Sequence, residues 1–257
     1  MGMRIFTTRR WALSKRYRRD GKPPVLFVHV PKTAGTSLRR MLQASLGMQA
    51  VYPSDADLAR RKDGGYPLAA EVLRELPTIR PYGVLVGHFV AGIVRHLPVP
   101  HRAATMLRDP VQRSLSMLAH LHVHRGLSPK AVMESEYLRS NHIADYQTRL
   151  LGAEHEEEFD HATDAHLERA LRNLEAFEFV GITERFPESC RWFDRLFGTA
   201  VSSVIRESNV LRPGGRGYEE FIPSIEPLVA RDRVLYERAC ARFDRDSQAM
   251  LTATAAA

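Results

Sequence analysis

Lysine is scarce in this chain. Of its 37 basic residues, five are lysine and the rest arginine, so a lysine at a structured corner carries more information than it would in an ordinary surface. Cysteine is scarcer still. Cys190 and Cys240 have no metal-type spacing, which argues against a Cys-based zinc site; both read as small buried residues in helical patterns rather than as a disulfide or a nucleophile, suited to a reducing compartment. No long apolar run is present. Met1–Lys22 therefore carries neither a secretory signal nor an anchor, and Met1-Gly2 lacks the Ser or Thr of a myristoylation motif, so a cytoplasmic location is expected. Internal repeats are absent too, and the only low-complexity stretch is the tail Thr252–Ala257.

The 257 residues are 44% hydrophobic, enough to bury a core and better suited to one α/β domain than to two. The formal charge is +7, and its placement matters more than its size. Met1–Lys22 holds eight basic residues and one Asp, which is the entire excess; the remainder is balanced, with 29 of each sign. A nucleic-acid-binding body would carry its own basic stripe, so no nucleic-acid partner is expected. Residues 1–22 read as a basic arm that is either solvated or able to meet an anionic inner-membrane surface or acidic partner through its arginines, Trp11 and Tyr17. Residues 23–250 form the domain, and 251–257 a tail.

Val25–Leu42, VLFVHVPKTAGTSLRRML, organises the rest. Val25, Leu26, Phe27, Val28 and Val30 have the length and β-branching of a buried parallel strand in which His29 is the only polar member. Pro31 ends the strand, Gly35 permits a bend, and Thr36 or Ser37 can cap a helix whose apolar face begins at Leu38, Met41 and Leu42. Such a junction turns free N–H groups and the positive end of a helix toward one point, with Lys32 beside them, and suits a phosphate-like anion. It is not a Walker A loop, whose lysine follows the last glycine; Lys32 precedes Gly35.

His29-Val30-Pro31-Lys32-Thr33-Ala34-Gly35-Thr36-Ser37 closely resembles the 5′-phosphosulfate-binding loop of sulfotransferases that use 3′-phosphoadenosine 5′-phosphosulfate (PAPS), nearest to the branch of heparan sulfate 2-O-sulfotransferase and its bacterial relatives. The resemblance implies that Pro31 through Ser37 bind the donor. It extends along most of the body, roughly residues 24–245.

Pro53–Gly65 reads as a polar connection and Leu68–Leu76 as helical. Val84-Leu85-Val86 is a short strand ending in Gly87-His88-Phe89, at the carboxyl edge where α/β proteins place ligands. Position alone leaves His88 equally a functional group or a histidine satisfied by backbone; the resemblance implies the catalytic base. Ala103–Leu107 is a further strand, followed by Asp109 as N-cap, Pro110 in the first turn and a helix over Val111–His124. Arg113 and Ser116 share a helical face and make a plausible phosphate clamp. Arg108 through Ser116, RDPVQRSLS, resembles the family's 3′-phosphate segment, which implies that role for Arg108 and Ser116. His120, His122 and His124 do not read as a metal site, because residue 122 points away from the face that 120 and 124 share.

Asn141–Gly152 is expected to be one helix, with Ile143, Tyr146 and Leu150 inward. It resembles a segment near the acceptor cleft, implying substrate contacts at Asn141, Gln147 and Arg149; equally these form the helix's wet face. Glu154–Asp164 reads as a loop, Leu167–Phe177 as a helix and Phe179–Thr183 as a strand. Glu184 follows, able to orient His88 or replace it as base, or to pair with an arginine. A helix runs to Phe197, and Val201–Ile205 reads as a last strand. Ser208–Gly217, with Arg212, could close over the nucleotide. Arg231–Met250 is a long helix with Val234, Leu235, Ala239 and Phe243 inward.

The strand–helix order implies an α/β single domain with a mainly parallel sheet flanked by helices. The resemblance implies a P-loop-like sulfotransferase fold and transfer from PAPS to a hydroxyl of a glycan, glycolipid or small natural product, releasing adenosine 3′,5′-bisphosphate (PAP). Lys32 and the loop amides would stabilise the leaving group without a metal, and His88 would take the acceptor's proton at a pKa suited to neutral pH. The rivals are a kinase-like phosphotransferase, which would want Walker A order and an acidic Mg²⁺ ligand, and a non-catalytic module binding a nucleotide or a membrane.

Overall fold

The computed structural model describes residues 22–61, 65–76, 79, 81–204 and 217–255, with side chains to 249. The basic arm up to residue 21 and the proposed closing loop up to residue 216, Arg212 included, lie outside them.

Strand β1 (Val25–Val28) leads into helix α1 (Gly35–Leu46). After it come β2 (Val51–Tyr52), α2 (Asp55–Arg60), α3 (Ala69–Glu75), β3 (Val84–Gly87), α4 (Ile93–His96) and β4 (Arg102–Leu107). The second half holds α5 (Pro110–Arg125), α6 (Pro129–Glu134), α7 (Glu136–His142), α8 (Tyr146–Gly152), α9 (Asp164–Ala176), β5 (Phe179–Ile182), α10 (Phe186–Phe197), α11 (Ile222–Ile225) and α12 (Ala230–Ala255). The strands form one all-parallel sheet in the order β2-β3-β1-β4-β5.

Both faces of the sheet are covered, which is why its strands read as unbroken apolar runs rather than alternating ones. Val25 and Phe27 pack with Leu38, Met41 and Leu42 of α1 and with Phe186 and Phe193 of α10. Val28 and Val180 meet Leu150, Leu151, Leu174, Leu235 and Phe243 on α8, α9 and α12. From β1 the chain passes to the edge strand β2, returns with β3 to lie between them, then crosses to build β4 and β5 on the other side. The carboxyl end of β1 is thus the switch point, where an open parallel sheet leaves a crevice for a ligand. Among the described residues no helix is long and apolar enough to cross a membrane.

The departures from the sequence reading trace largely to carboxylates. Within Pro53–Gly65, Ser54 and Asp57 form a capping box: Ser54 Oγ accepts the Asp57 amide at 3.2 Å and the Asp57 carboxylate accepts the Ser54 amide at 2.8 Å, so α2 forms where a connection was expected. The expected helix over Asn141–Gly152 is broken. Asp145 adopts φ 39° and accepts the amides of Arg231 (2.9 Å) and Asp232 (3.0 Å), while Asp232 accepts those of Gln147 (3.1 Å) and Thr148 (2.6 Å). Two helix N-termini, of α8 and α12, therefore cap one another through exchanged carboxylates. Val201–Val204 is a 3-10 turn rather than a strand, because Asp194 accepts the amides of Val201 (2.6 Å) and Ser202 (2.8 Å) and removes them from any ladder. A 3-10 turn, Glu156–Phe159, interrupts the loop over Glu154–Asp164. On α12, Leu235, Ala239 and Phe243 are buried, but Val234 is 46% exposed, since the inward stripe repeats every four residues. Cys190 and Cys240 are free thiols, and burial pushes Cys190 up to about 12.

Candidate functional site

At the switch point lies a cavity of about 790 Å³. Its wall includes Pro31, Lys32, Ala34, Gly35, Thr36 and Ser37 from the loop after β1, His29 and His88 from the ends of β1 and β3, Arg108 from the end of β4, and Ser116, Met117, His120, Leu121 and Arg125 from α5. Tyr66, Leu127 and His142 complete it. None of these is acidic.

The loop achieves its shape without the glycine bend or side-chain cap expected of it. Lys32 (φ 74°) and Ala34 (φ 66°) carry the left-handed conformation, Ala34 is the N-cap, and no side chain caps α1. Gly35 is the first helical residue. Its lack of a side chain serves a different contact: a Cβ there would lie 2.1 Å from His29 Cδ2. The first intrahelical bond runs from the Leu38 amide to the Ala34 carbonyl at 3.0 Å, so the amides of Gly35, Thr36 and Ser37 precede the helical ladder. A left-handed residue followed directly by helical ones turns successive N–H groups to one concave side, an anion-holding arrangement. Thr33 is not part of the wall; it is buried, and its hydroxyl donates to the Val30 carbonyl at 2.8 Å.

Two arginines hold this loop from beneath. Arg108 Nη1 donates to the Lys32 carbonyl at 3.2 Å, and Arg113 Nε to the Pro31 carbonyl at 3.3 Å. Arg108 lines the cavity and its Nε, 3.8 Å from Glu184 Oε1, has no hydrogen-bond partner among the described residues. Arg113, by contrast, is fully buried, 4.1 Å over the Tyr146 ring and bonded to the His142 carbonyl. Burial moves its guanidinium down to about 10. The expected clamp of Arg113 with Ser116 is therefore not formed: Ser116 faces the cavity and Arg113 braces the floor.

Gln147 and Arg149 also lie away from the wall. Gln147 is buried, accepting the Arg108 amide (3.1 Å) and donating to the Arg108 carbonyl (2.8 Å), so it fixes the end of β4. Arg149 donates to the carbonyls of Ala144, Phe159, Asp160 and Ser140, and is equally buried. Because α7 ends at His142, that residue and not Asn141 reaches the cavity. Glu184 takes the arginine-paired role: besides Arg108, it accepts the Asp109 amide at 3.2 Å and the Tyr236 hydroxyl at 2.8 Å, and His88 is not among its hydrogen-bond partners within the described residues. Asp109 caps α5 through the Gln112 amide at 2.9 Å, as its position before Pro110 implies.

The histidines are the part of the site that the sequence exposed least. Val28 pairs with Gly87, and the His29 amide donates to the Gly87 carbonyl at 2.8 Å, so His29 and His88 are next neighbours on adjacent parallel strands. Their ring centroids are 4.8 Å apart. Burial, then Arg113, lowers His88 to about 4, below the neutral value expected of it. His29 lies well below the ordinary imidazole range, through burial first and then the His88, Arg39 and Lys32 charges. Both rings are neutral at pH 7, the form that accepts a proton. On α5, the rings of His120 and His124 lie 4.7 Å apart at a tilt of 46°, while His122 Nδ1 meets the Tyr218 hydroxyl at 2.9 Å. The helical spacing separates them as expected.

No family model matches the chain, and no curated protein matches it either.

Proposed function

We propose that this chain is a PAPS-dependent sulfotransferase with a P-loop-like site, acting on a hydroxyl of a carbohydrate, glycolipid or small natural product. One observation carries the reading. Anion-binding amides, Lys32, Arg108, Ser116 and the neutral imidazole of His88 line a single cavity at the switch point, and no carboxylate stands in its wall among the described residues.

The residues present fit the donor. The wall carries unused hydrogen-bond capacity where anions would lie, at the N-terminal amides of α1 and at Arg108. Lys32 and the amides of Gly35–Ser37 would hold the 5′-phosphosulfate, and Arg108 with Ser116 the 3′-phosphate. Bound PAPS supplies an activated sulfuryl group whose S–O bond to the bridging oxygen breaks as the new S–O bond to the acceptor forms. Lys32 stabilises the charge that stays with the departing PAP. His88 accepts the proton lost by the acceptor hydroxyl; the leaving group keeps the bond's electron pair. An anion beside His88 offsets the burial that lowers its basicity, so the base strengthens when the cavity is filled.

A kinase-like reading wants a carboxylate for Mg²⁺, and among the described residues the wall offers none. The test is PAP affinity by calorimetry together with turnover of labelled PAPS over a panel of hydroxyl acceptors. Micromolar PAP binding with label transfer that Lys32→Ala and His88→Ala each abolish supports the reading. A folded protein that binds ATP–Mg²⁺ but not PAP removes it.

A further inference from the structure

We propose that Tyr66 is a positioning residue for His88, with its ring walling the imidazole and its hydroxyl anchored by Arg39. The inference rests on the sulfotransferase reading for its catalytic meaning, and on geometry for its substance.

Three rings close on one another at the carboxyl edge of the sheet. Tyr66 lies 4.7 Å from His88 and 5.0 Å from His29, centroid to centroid, and the two imidazoles are 4.8 Å apart. His29 cannot retreat, because the backbone of Gly35 lies against its Cδ2–Nε2 edge. Tyr66 itself belongs to no helix or strand; it sits in the link between α2 and α3. What fixes it is tertiary. Arg39 Nε donates to the Tyr66 hydroxyl at 3.0 Å, and Arg39 is 3% exposed and held in turn by the Pro53 carbonyl (3.3 Å) and Asp55 Oδ1 (2.5 Å).

Arg39 lies one helical turn after Gly35 on α1. The helix whose first turn faces the anion site therefore holds, with its second, the ring that packs on the base. A ring held this way defines the side from which an acceptor reaches His88, and orientation of this kind is worth orders of magnitude in rate. The groups that face His88 are His29 from the end of β1, Tyr66 from the link, and Arg113 from α5. With Tyr66 removed, water replaces its ring and the imidazole recovers basicity.

The experiment follows the His88 ring protons by NMR in the ligand-free protein and, separately, the release of PAP from PAPS with water as acceptor. In the wild type an NOE joins the Tyr66 and His88 rings, and His88 stays neutral from pH 5 to 8. Tyr66→Phe keeps the ring and a neutral His88 but loses the Arg39 anchor, so its NOE weakens and its kcat falls between those of the wild type and the Leu variant. Tyr66→Leu raises the His88 midpoint by about one unit and lowers kcat about tenfold with KM for PAPS unchanged; rescue by Phe and not by Leu separates positioning from a general loss of fold. The proposal is overturned by absence of the NOE in the wild type, by a Leu variant with unaltered titration and kcat, or by a Phe variant no better than Leu. A wild type that releases no PAP and binds none refutes the sulfotransferase reading instead, and the titration and NOE then still decide whether Tyr66 holds His88.

Discussion

Gly35→Ala sets two effects of opposite sign against each other. In the first turn of a helix, alanine is the better helix former by up to about 1 kcal/mol, so local propensity alone makes the variant more stable. The new methyl would however stand 2.1 Å from His29 Cδ2, 2.3 Å from Nε2 and 2.7 Å from Cγ, all far inside van der Waals contact. Whether that matters depends on whether the imidazole can move. It is 3% exposed, with Tyr66 at 5.0 Å and His88 at 4.8 Å against its other sides, so any rotation displaces both. Overpacking of this kind costs about 1–3 kcal/mol, which exceeds the propensity gain. The net expectation is a loss of about 1–2 kcal/mol, or about 3–6 °C in Tm for a domain this large.

The functional loss should be larger than the stability loss. A shift of about 1 Å in His29 passes to His88 and Tyr66, and misplacement on that scale costs about a hundredfold in rate. Urea denaturation, PAP calorimetry and PAPS turnover measured on one preparation check this. A Gly35→Ala protein with unchanged or raised stability and wild-type turnover would refute the claim that the glycine exists to admit the histidine.

Arg108→Ala removes a charged donor from the wall and should weaken PAP binding by about 10- to 100-fold in calorimetry, the worth of a charge-assisted bond of about 1.5–3 kcal/mol; unchanged affinity would mean that Arg108 serves only the Lys32 carbonyl. His120 is lowered to about 4 by burial first and then by the Lys32 charge, so an anion beside it should draw a proton in. PAP affinity then falls as pH rises from 5 to 8, and the proton uptake seen in buffers of different ionisation enthalpy should be smaller in His120→Asn. Asp232 is raised to about 6, through burial first and then Asp145. Its contribution to stability is therefore greatest below the ordinary carboxylate value and is lost as pH rises through 6. The stability of wild type relative to Asp232→Asn, followed by urea melts, should decline between pH 4 and 7; a difference that grows with pH contradicts the assignment.

Most of the fold was legible because burial on both faces makes parallel strands conspicuous. Val25–Val28, Val84–Gly87 and Phe179–Ile182 announce themselves as apolar runs, and Asp109-Pro110 marks the start of α5 to the residue. Hidden elements depend on partners distant in sequence. Nothing near Asp145 foretells that its carboxylate serves residues 231 and 232, yet that contact splits the segment read as one helix. The two-residue strand β2 is an edge too short for any periodicity to reveal.

The site divides along the same line. Lys32, Arg108 and His88 stand at the ends of strands and Ser116 in the second turn of the helix that follows β4, so a strand–helix pattern is enough to gather them. Gln147, Arg149 and Arg113 are polar residues on helices, and polarity alone cannot tell a ligand contact from a buried brace; here all three lie inside the molecule, bonded to backbone carbonyls. His29 shows what one further fact would have supplied. It was visible as the lone polar residue in its run, but its meaning lies in the pairing of Val28 with Gly87, which sets it beside His88. A shift of one residue in that parallel register would send the two imidazoles to opposite faces and leave the base alone. The chemistry proposed here therefore depends on the β1–β3 ladder as much as on any residue in the cavity wall, and an insertion of one residue in β3 should abolish turnover while the loop after β1 still binds PAP.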